Sequence, residues 1–197
     1  MRVAVVGVQG DVEEHVLATK MAMKKLNIDG EVVATRKAGV ISKSDALIIP
    51  GGESTTISRL ITKDGMDREI IKLAESGKPV MGTCAGLILL SKHGDEQVEK
   101  TKTKLLGLMD IWVKRNVFGR QRESFQVKLK VKYVGEFEAV FIRAPAIVKV
   151  DKNVEILATF EDFIVAAKQD NILALAFHPE LTQDTRMHEY FLSLSKV

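Results

Sequence analysis

Residues 79–90 read Pro-Val-Met-Gly-Thr-Cys-Ala-Gly-Leu-Ile-Leu-Leu: a short apolar strand, a Gly-x-Cys-x-Gly turn and the start of an apolar helix. This order is typical of a nucleophile elbow, a sharp strand-to-helix turn with the nucleophile, here Cys84, at its apex. Side chains two residues before or after the apex would clash in such a turn, and Gly82 and Gly86 remove them. The N–H groups at the helix start, from about Ala85, would favour a thiolate and could bind an oxyanion.

The same cysteine also has a simpler interpretation. Cys84 is the only cysteine in the chain, and a lone cysteine in a soluble protein is more often a small buried apolar residue than a nucleophile. The two flanking glycines and the strand-to-helix switch favour the catalytic interpretation. A single cysteine excludes an internal disulfide and suits a reducing compartment.

Strand-like and helix-like segments alternate around this turn through the first half of the chain. Strands are predicted at 3–8, 31–35 and 46–49, and helices at 11–26, 55–63 and 67–75, with Asp11 as a helix N-cap. Such alternation implies right-handed crossovers and a parallel sheet that binds ligands at the carboxyl ends of its strands. The glycine-rich turns at 50–54 and 82–86 both fall at that edge. We therefore expect an α/β fold of three layers, α/β/α, with helices on both faces of a mainly parallel sheet.

The pattern changes after residue 90. Residues 91–104 are almost all polar or charged, which is typical of a solvated loop. Beyond them, alternating segments predict strands, a hairpin turn at 169–171 and a last helix at 184–196. These strands are predicted at 108–113, 125–131, 138–142, 155–160, 163–168 and 172–177. We expect partly antiparallel strands added to the parallel core, with no linker and no internal repeat.

Length and composition indicate one ordinary globular domain over residues 1–197. The chain is 46% hydrophobic and 28% charged, and its net charge of +3 is spread along the sequence. A chain of this size buries roughly 70% of its unfolded surface. The dispersed charge argues against a nucleic-acid partner, and the first apolar run is too short for a signal peptide or a membrane span. We expect a cytoplasmic protein without a nucleic-acid or membrane partner.

A thiol nucleophile needs a base, and a histidine that leaves a core strand is the best candidate. His178 follows directly on the apolar run 172–177, and Pro179-Glu180 comes next. In extended backbone His178 and Glu180 share one face, so the carboxylate could fix the imidazole tautomer and stabilise the imidazolium. With Cys84, the pair predicts Cys-His-Glu acyl transfer. The other histidines, His15, His93 and His188, are interpreted as surface or packing residues or as part of the last helix.

Residues 50–56 read Pro-Gly-Gly-Glu-Ser-Thr-Thr. After the turn at Cys84 and the histidine at 178, they form the third motif that indicates a functional site. Gly51 and Gly52 at a strand exit free the backbone to turn its amides toward a ligand, which suits half of an oxyanion hole. A phosphate-binding loop is the alternative, but the Lys-Ser/Thr ending is absent and Glu53 would repel phosphate. Glu53 suits a ligand ammonium group, and the basic loop 115–121 could bind a carboxylate, although such a loop is also typical of an exposed turn. Together they predict a site for a zwitterion.

Five blocks of sequence carry a family resemblance. They are Gly-Gly-Glu-Ser-Thr-Thr at 51–56, Gly-Thr-Cys-Ala-Gly at 82–86, Arg-Asn-x-Phe-Gly-Arg-Gln at 115–121, Phe-Ile-Arg-Ala-Pro at 141–145 and His-Pro-Glu-Leu-Thr at 178–182. The elbow and the His-Pro-Glu block resemble the triad-type, class I glutamine amidotransferases. The other blocks narrow the resemblance to the glutaminase subunits of pyridoxal 5'-phosphate synthase, and the blocks span nearly the whole chain.

The resemblance implies a flavodoxin-like class I amidotransferase fold and hydrolysis of L-glutamine without a cofactor or a metal. Cys84 would attack the side-chain amide carbon to give a γ-glutamyl thioester, His178 would carry the thiol proton to the departing ammonia, and Glu180 would orient His178. The ammonia would pass to a barrel-shaped synthase subunit, which joins it to a pentose phosphate and a triose phosphate to make pyridoxal 5'-phosphate. The segment 9–11 matches a region expected to contact that partner.

The resemblance also assigns the binding residues. Those expected to bind glutamine are Gly52, Glu53, Ser54, Arg115, Ile142 and Arg143. The expected oxyanion hole consists of Gly51, Gly52 and Ala85.

Three alternatives remain open. A glutaminase that serves another synthase, in histidine, purine or tryptophan biosynthesis, would keep the elbow and the triad but not the blocks at 115–121 and 141–145. A peptidase or redox protein on a similar sheet would need a different partner for its cysteine. A silent subunit that binds glutamine without cleaving it would be favoured by loss of the nucleophile or the base, and both are present.

Overall fold

The described part of the chain comprises residues 1–118 and 124–195 of a computed structural model. Its strands are β1 (Arg2–Val6), β2 (Glu31–Thr35), β3 (Ala46–Ile49), β4 (Val80–Thr83), β5 (Ser91–His93), β6 (Met109–Lys114), β7 (Ser124–Val131), β8 (Gly135–Ile142), β9 (Ala146–Val150), β10 (Glu155–Phe160), β11 (Phe163–Gln169) and β12 (Ile172–Leu175). Its α-helices are α1 (Val12–Lys25), α2 (Ser54–Asp64), α3 (Met66–Glu75), α4 (Ala85–Leu90), α5 (Glu96–Lys100) and α6 (Arg186–Ser193).

The main sheet joins both halves of the chain. Its strand order is β2-β1-β3-β4-β12-β11-β9-β6-β5, with β10 paired to β11, while β7 and β8 form a separate antiparallel pair. Neighbours from β2 to β12 run parallel, and β11, β9, β10 and β6 are joined by antiparallel pairs. The predicted mainly parallel sheet with added antiparallel strands is confirmed. Because β4 and β12 are parallel neighbours, the segments that follow them emerge side by side at one sheet edge.

Helices cover both faces of the parallel part. The crossover through α1 moves the chain from β1 outward to β2, whereas α2 and α3 carry it the other way, from β3 to β4. Right-handed crossovers in opposite directions place their helices on opposite faces. The helix α6 packs on α1, and α4 packs beside α2. Residues 3–6 and 46–49 are apolar and completely buried, as expected for strands covered on both faces. The expected three-layer arrangement is present.

An aromatic cluster attaches the β7–β8 hairpin to the main sheet. The ring of Phe125 stacks on Phe141 with centroids 4.8 Å apart, and Phe118 meets Phe125 edge-on at 5.3 Å. Phe141 in turn contacts Phe177, just after β12, at 5.8 Å. Aromatic pairs of this kind contribute beyond the apolar area they bury. The cluster therefore fixes the end of β8 beside the end of β12, where the candidate base emerges.

The prediction of a solvated loop at 91–104 is wrong. Residues 91–93 pair with β6 as an edge strand, and Asp95 begins α5 by accepting hydrogen bonds from the N–H groups of Gln97 and Val98, each at 3.0 Å. Val98 is buried in the core. A few buried residues stand among exposed charged ones, so the segment is an edge strand followed by a short helix rather than a free loop.

Other bounds differ from the prediction in smaller ways. Strand β9 was not predicted, although its Ala-Ile-Val-Lys-Val sequence is β-branched and apolar. The last helix begins at Arg186 and ends at Ser193, inside the predicted 184–196, and Lys196 lies outside the described residues. None of the helices in residues 1–118 and 124–195 is long and apolar enough to cross a bilayer.

Candidate active site

The backbone confirms the predicted elbow at the end of β4. Cys84 has φ 50° and ψ −103°, a left-handed conformation that non-glycine residues rarely adopt. A Cβ on Gly82 would lie 2.6 Å from the carbonyl carbon of Gly86, and a Cβ on Gly86 would lie 2.2 Å from the carbonyl oxygen of Ile49. Both glycines are therefore required by close backbone contacts. The Cys84 N–H donates to the carbonyl of Leu175 at 2.8 Å, which ties the elbow to β12.

The predicted contact between His178 and Glu180 is present, but the predicted backbone is wrong. Residues 179–181 form a 3₁₀ turn with Pro179 at its first position, not an extended strand. Within this turn Nδ1 of His178 lies 2.7 Å from Oε1 of Glu180, and both side chains are buried. The His178 N–H also donates to the carbonyl of Val140 at 2.8 Å, so β8 helps to hold the imidazole in place.

A second carboxylate that the sequence analysis missed also faces His178. Oδ2 of Asp11 lies 3.2 Å from the same Nδ1 atom, and the Asp11 side chain is 37% exposed. Asp11 does occupy the N-cap position of α1, but its side chain makes no capping hydrogen bond. Its contact with His178 follows from the adjacency of β1, β3, β4 and β12, which no local pattern reveals.

These contacts determine the charge of the imidazole. Burial opposes protonation of His178, but interactions with Asp11, Cys84 and Glu180 outweigh it and raise the pKa of His178 to about 12. The hydrogen bond to His178 lowers the pKa of Asp11. Burial raises the pKa of Glu180, although its hydrogen bond to His178 acts in the opposite direction. The site is therefore built to stabilise an imidazolium.

The other imidazole nitrogen is free to serve the thiol. Nε2 of His178 is buried and forms no hydrogen bond of standard geometry with any residue that the structure describes. The thiol of Cys84 is directed toward the carbonyl oxygen of Ile142 at 3.8 Å.

Ligand atoms of Asp11, His178 and Glu180 lie within 4.8 Å of one another and could also hold a metal ion. However, contacts within these three residues already use Nδ1 of His178 and one oxygen of each carboxylate.

A cavity of about 460 Å³ opens in front of the elbow. It is lined by Gln9, Asp11, Gly52, Glu53, Ser54, Cys84, Ala85, Ile88, Arg115, Asn116, Ile142, Arg143, Pro145 and His178. The structure thus brings every predicted glutamine-binding residue to the same cavity as the candidate nucleophile and base. Glu180 lies behind His178, and Gly51 packs against the imidazole, since a Cβ there would lie 2.4 Å from Cε1. Of the predicted basic loop, Gly119, Arg120 and Gln121 lie outside the described residues.

Glu53 has structural partners in addition to any ligand. Its carboxylate caps α2 by accepting from the N–H groups of Thr55 at 3.0 Å and Thr56 at 2.7 Å, and it lies 3.5 Å from Nη2 of Arg115. Partial burial acts against ionisation, yet these hydrogen bonds from Thr56 and Thr55 lower the pKa of Glu53. The carboxylate is therefore held charged and in place at the mouth of the cavity.

Asp95, in the segment that was predicted to be a loop, helps to position Arg115. One oxygen of Asp95 caps α5, and the other accepts from the backbone N–H of Arg115 at 2.8 Å. The Arg115 side chain is mostly buried. An aspartate directly before Glu-Gln-Val could have been identified as a helix N-cap from the sequence.

Gln9 is a further lining residue that the sequence analysis did not assign to the cavity. Its side-chain oxygen accepts from the N–H of Glu53 at 2.8 Å and packs against Gly52, where a Cβ would lie 2.5 Å from it. Gly52 has φ 137°, a conformation that favours glycine. The segment 9–11 and the segment 51–53 are therefore in direct contact.

Comparison with known proteins identifies the family of the chain. The chain matches the SNO glutamine amidotransferase family over residues 5–196. A curated relative from Archaeoglobus fulgidus, named pyridoxal 5'-phosphate synthase subunit PdxT, is 76% identical over 196 residues, covering 100% of this chain and 99% of the relative. The protein of the same name from Methanocella arvoryzae is 55% identical, covering 98% of this chain and 97% of the relative.

Solved structures show the same likeness. A crystal structure described as a glutamine amidotransferase is 44% identical, with a TM-score of 0.87 and 99% coverage of both chains. The structure of PurLQS from Thermotoga maritima is 17% identical with a TM-score of 0.67, covering 98% of this chain and 96% of the other, and shows a likeness of fold. With Cys84 and His178 at one cavity, Glu180 behind His178 and a family match over almost its whole length, the chain belongs to the SNO glutamine amidotransferase family.

Proposed function

We propose that the chain hydrolyses L-glutamine to glutamate and ammonia as the glutaminase subunit of pyridoxal 5'-phosphate synthase. The observation that carries this proposal is the arrangement at the ends of two paired strands: Cys84 at the elbow after β4, and His178 hydrogen-bonded to Glu180 after β12. This arrangement supports acyl transfer through a thiol. The names of the relatives supply the pathway.

The reaction has two halves. Cys84 attacks the side-chain amide carbon of glutamine, His178 takes the thiol proton and gives it to the departing amine, and ammonia leaves behind a γ-glutamyl thioester. Water, activated by His178, then attacks the thioester carbon, and the sulfur leaves with the proton. Glu180 accepts the hydrogen bond from Nδ1–H and stabilises the imidazolium that each half produces.

Charged groups at the cavity mouth suit the two ends of the amino acid. The Glu53 carboxylate is the acceptor for the α-ammonium group, and the Arg115 guanidinium is a donor for the α-carboxylate. Ser54, Ile142 and Arg143 complete the glutamine-binding surface. This arrangement selects a zwitterion whose side-chain amide points at the sulfur.

The amide oxygen becomes negatively charged in each tetrahedral intermediate and needs donors. We assign these donors to the backbone of Gly51 and Gly52 and to the N–H of Ala85, which begins α4 and has no intrahelical partner. Because Gln9 contacts Gly52 and Glu53, a partner that binds the segment 9–11 can act on this loop. The oxyanion hole is then completed only when the synthase subunit docks, which prevents wasteful hydrolysis.

The partner is the barrel-shaped synthase subunit, which receives the ammonia and joins it to a pentose phosphate and a triose phosphate. Residues 1–197 act as one glutaminase domain, and the proposed site of action is the cytoplasm. No cofactor or metal takes part in the two half-reactions.

The test is ammonia release from L-glutamine by the purified chain, alone and with a pyridoxal 5'-phosphate synthase subunit. We expect release to appear or to rise sharply in the mixture. Equal rates with and without the partner would contradict the proposed activation. Absence of ammonia in both cases would favour a silent glutamine-binding subunit.

A variant without the nucleophile provides the matched control. Cys84→Ala should lower the rate by at least about a thousandfold, because no thioester can form. Its thermal unfolding should remain close to that of the natural chain, since the alanine side chain fits the same turn. Full activity of Cys84→Ala would refute the proposed chemistry.

A further inference from the structure

A buried histidine lies behind the carboxylate of the candidate triad. His15, on α1, is fully buried, and its Nε2 atom lies 3.3 Å from Oε2 of Glu180, the oxygen that does not face His178. The same Nε2 atom lies 2.9 Å from the hydroxyl of Thr83, the residue before the candidate nucleophile. His15 therefore contacts both sides of the proposed reaction centre without lining the cavity.

A second buried histidine lies behind the first. Nε2 of His188, on α6, lies 3.2 Å from Nδ1 of His15. Burial and the neighbouring His188 lower the pKa of His15 well below its usual value, and burial lowers the pKa of His188 to about 4. Both imidazoles are therefore neutral at neutral pH, and each carries a single N–H.

The position of that N–H on His15 follows from its neighbours. Among the described residues, Oε2 of Glu180 forms no hydrogen bond of standard geometry, and Nε2 of His15 lies 3.3 Å from it. An unprotonated Nε2 would place its lone pair against a buried carboxylate oxygen, which is electrostatically unfavourable. The proton therefore belongs on Nε2, and Nδ1 of His15 accepts from the Nε2–H of His188. The remaining atom, Nδ1 of His188, is then an acceptor rather than an unpaired donor, and it is buried without a hydrogen-bond partner in residues 1–118 and 124–195.

We propose that His15 is a positioning residue of the glutaminase reaction: its Nε2–H donates to Thr83 and lies 3.3 Å from Oε2 of Glu180, and His188 fixes the tautomer that places this N–H there. The proposal rests on the proposed glutaminase function. It adds the neutral imidazoles of His15 and His188 to the series of contacts formed by Cys84, His178 and Glu180. It also places the polar N–H of His15 beside the carboxylate oxygen of Glu180 that does not face His178, which favours the ionised carboxylate in a buried position.

The effect on pH dependence has a defined sign. The titratable groups that face Glu180 are His178, Asp11 and His15, with His188 behind His15. Removing the donor at His15 leaves the Glu180 anion less stabilised, so its carboxyl is protonated at higher pH. Below that pH His178 loses its charged partner, and the acidic limb of the rate profile moves to higher pH.

The first experiment compares His15→Phe with His15→Gln in the complex with the synthase subunit. Phenylalanine keeps a ring but has no donor, whereas the glutamine amide nitrogen can replace Nε2–H. We expect His15→Phe to lower kcat about tenfold to a hundredfold, with little change in KM for glutamine and an acidic limb at higher pH. His15→Gln should restore most of kcat and the normal limb. The proposal would be overturned if His15→Phe kept the kcat and the acidic limb of the natural chain. It would also be overturned if His15→Phe and His15→Gln lost kcat equally.

A second readout separates this proposal from the proposed function. The rate at which iodoacetamide alkylates Cys84, measured against pH on the same proteins, requires no glutamine. A shifted alkylation profile in His15→Phe that is restored in His15→Gln supports the positioning role even if the natural chain releases no ammonia. An unshifted profile in a folded His15→Phe overturns it even if glutaminase activity is present.

The tautomer is tested on the natural sequence, which avoids any failure to fold. Nitrogen-15 NMR of the histidine-labelled chain should show His15 protonated at Nε2 and unprotonated at Nδ1, and the opposite tautomer would overturn the proposal. The pair His188→Leu and His188→Gln tests whether a donor at position 188 is needed to fix the tautomer of His15. His188→Leu should move the acidic limb in the same direction as His15→Phe, and His188→Gln, which keeps a donor, should not. An unmoved limb in folded His188→Leu counts against the role of His188.

Discussion

Two carboxylates of different burial share one nitrogen of His178. Glu180 is buried and lies 2.7 Å from Nδ1, whereas Asp11 is 37% exposed and lies 3.2 Å from the same atom. Of the interactions that raise the pKa of His178 against the cost of burial, the hydrogen bond to Asp11 is the largest. A partly exposed residue at the start of α1 therefore tunes a buried base. Because the pKa of His178 rises from 6.5 to about 12, its protonation stabilises the fold fully just below pH 6.5, where Asp11 is still ionised, and progressively less as the pH rises toward 12.

Asp11→Asn tests this tuning. Asparagine keeps an oxygen near Nδ1 but removes the charge, so His178 should lose its proton at lower pH than in the natural chain. We expect the basic limb of the pH profile of kcat/KM, measured in the complex, to move to lower pH. Glu75→Gln, an equal change of charge at an exposed position near the end of α3, serves as the control and should leave the limb in place. An unmoved basic limb in Asp11→Asn, with partner binding intact, would show that Glu180 alone controls the imidazole.

At the scale of elements, the short helix α5 connects fold stability to the substrate cavity. One oxygen of Asp95 caps the helix, and the other holds the backbone N–H of Arg115 at 2.8 Å. Arg115 is the proposed partner of the glutamine α-carboxylate. A segment with a surface-like sequence thus fixes the start of the loop that carries a binding residue.

Two substitutions at Asp95 separate these tasks. Asp95→Ala should cost about 1 kcal/mol of unfolding free energy, because the cap is lost, and should raise KM for glutamine about two- to tenfold, because the Arg115 backbone is released. Asp95→Asn retains a good N-cap oxygen but presents an amide nitrogen, which cannot accept from Arg115. It should therefore unfold like the natural chain and still show the raised KM.

Urea unfolding and glutamine titration of the complex measure the two effects. A natural KM in Asp95→Asn would mean that the hydrogen bond to Arg115 does not position the substrate. A KM raised only in Asp95→Ala would assign the effect to the helix as a whole.

Local patterns predicted the elements that carry the proposed chemistry, and non-local contacts explain what was missed. The elbow at Cys84 is a local turn with its glycines adjacent in sequence, so its form could be predicted. The contact between His178 and Glu180 was predicted for the wrong reason, since a 3₁₀ turn brings the side chains together. Asp11 and His15 come from the start of the chain and reach residues near its end only through the strand order and the packing of α1 against α6. No spacing in a single sequence encodes that adjacency.

At the scale of the molecule, the proposed site lies across the junction of the two halves. The nucleophile follows β4 in the first half and the base follows β12 in the second, and these strands pair in parallel from Val80 with Ile172 to Thr83 with Leu175. The buried apolar residues form one cluster that includes strands from both halves. The proposed triad therefore exists only while both halves are folded together.

This junction predicts a single cooperative unfolding transition. Phe141, in the aromatic cluster of the second half, is fully buried, so Phe141→Ala should lower the unfolding free energy by about 3–5 kcal/mol. If the halves unfold together, hydrogen exchange of buried amides in β1 and β3 should accelerate as much as exchange in β11 and β12. Fluorescence of Trp112 and far-UV circular dichroism should give the same urea midpoint. Lys152→Ala, at an exposed turn, should change the midpoint little and serves as the control. Separate midpoints, or faster exchange confined to the second half, would show that residues 1–197 contain two folding units and that the base can detach from a folded nucleophile.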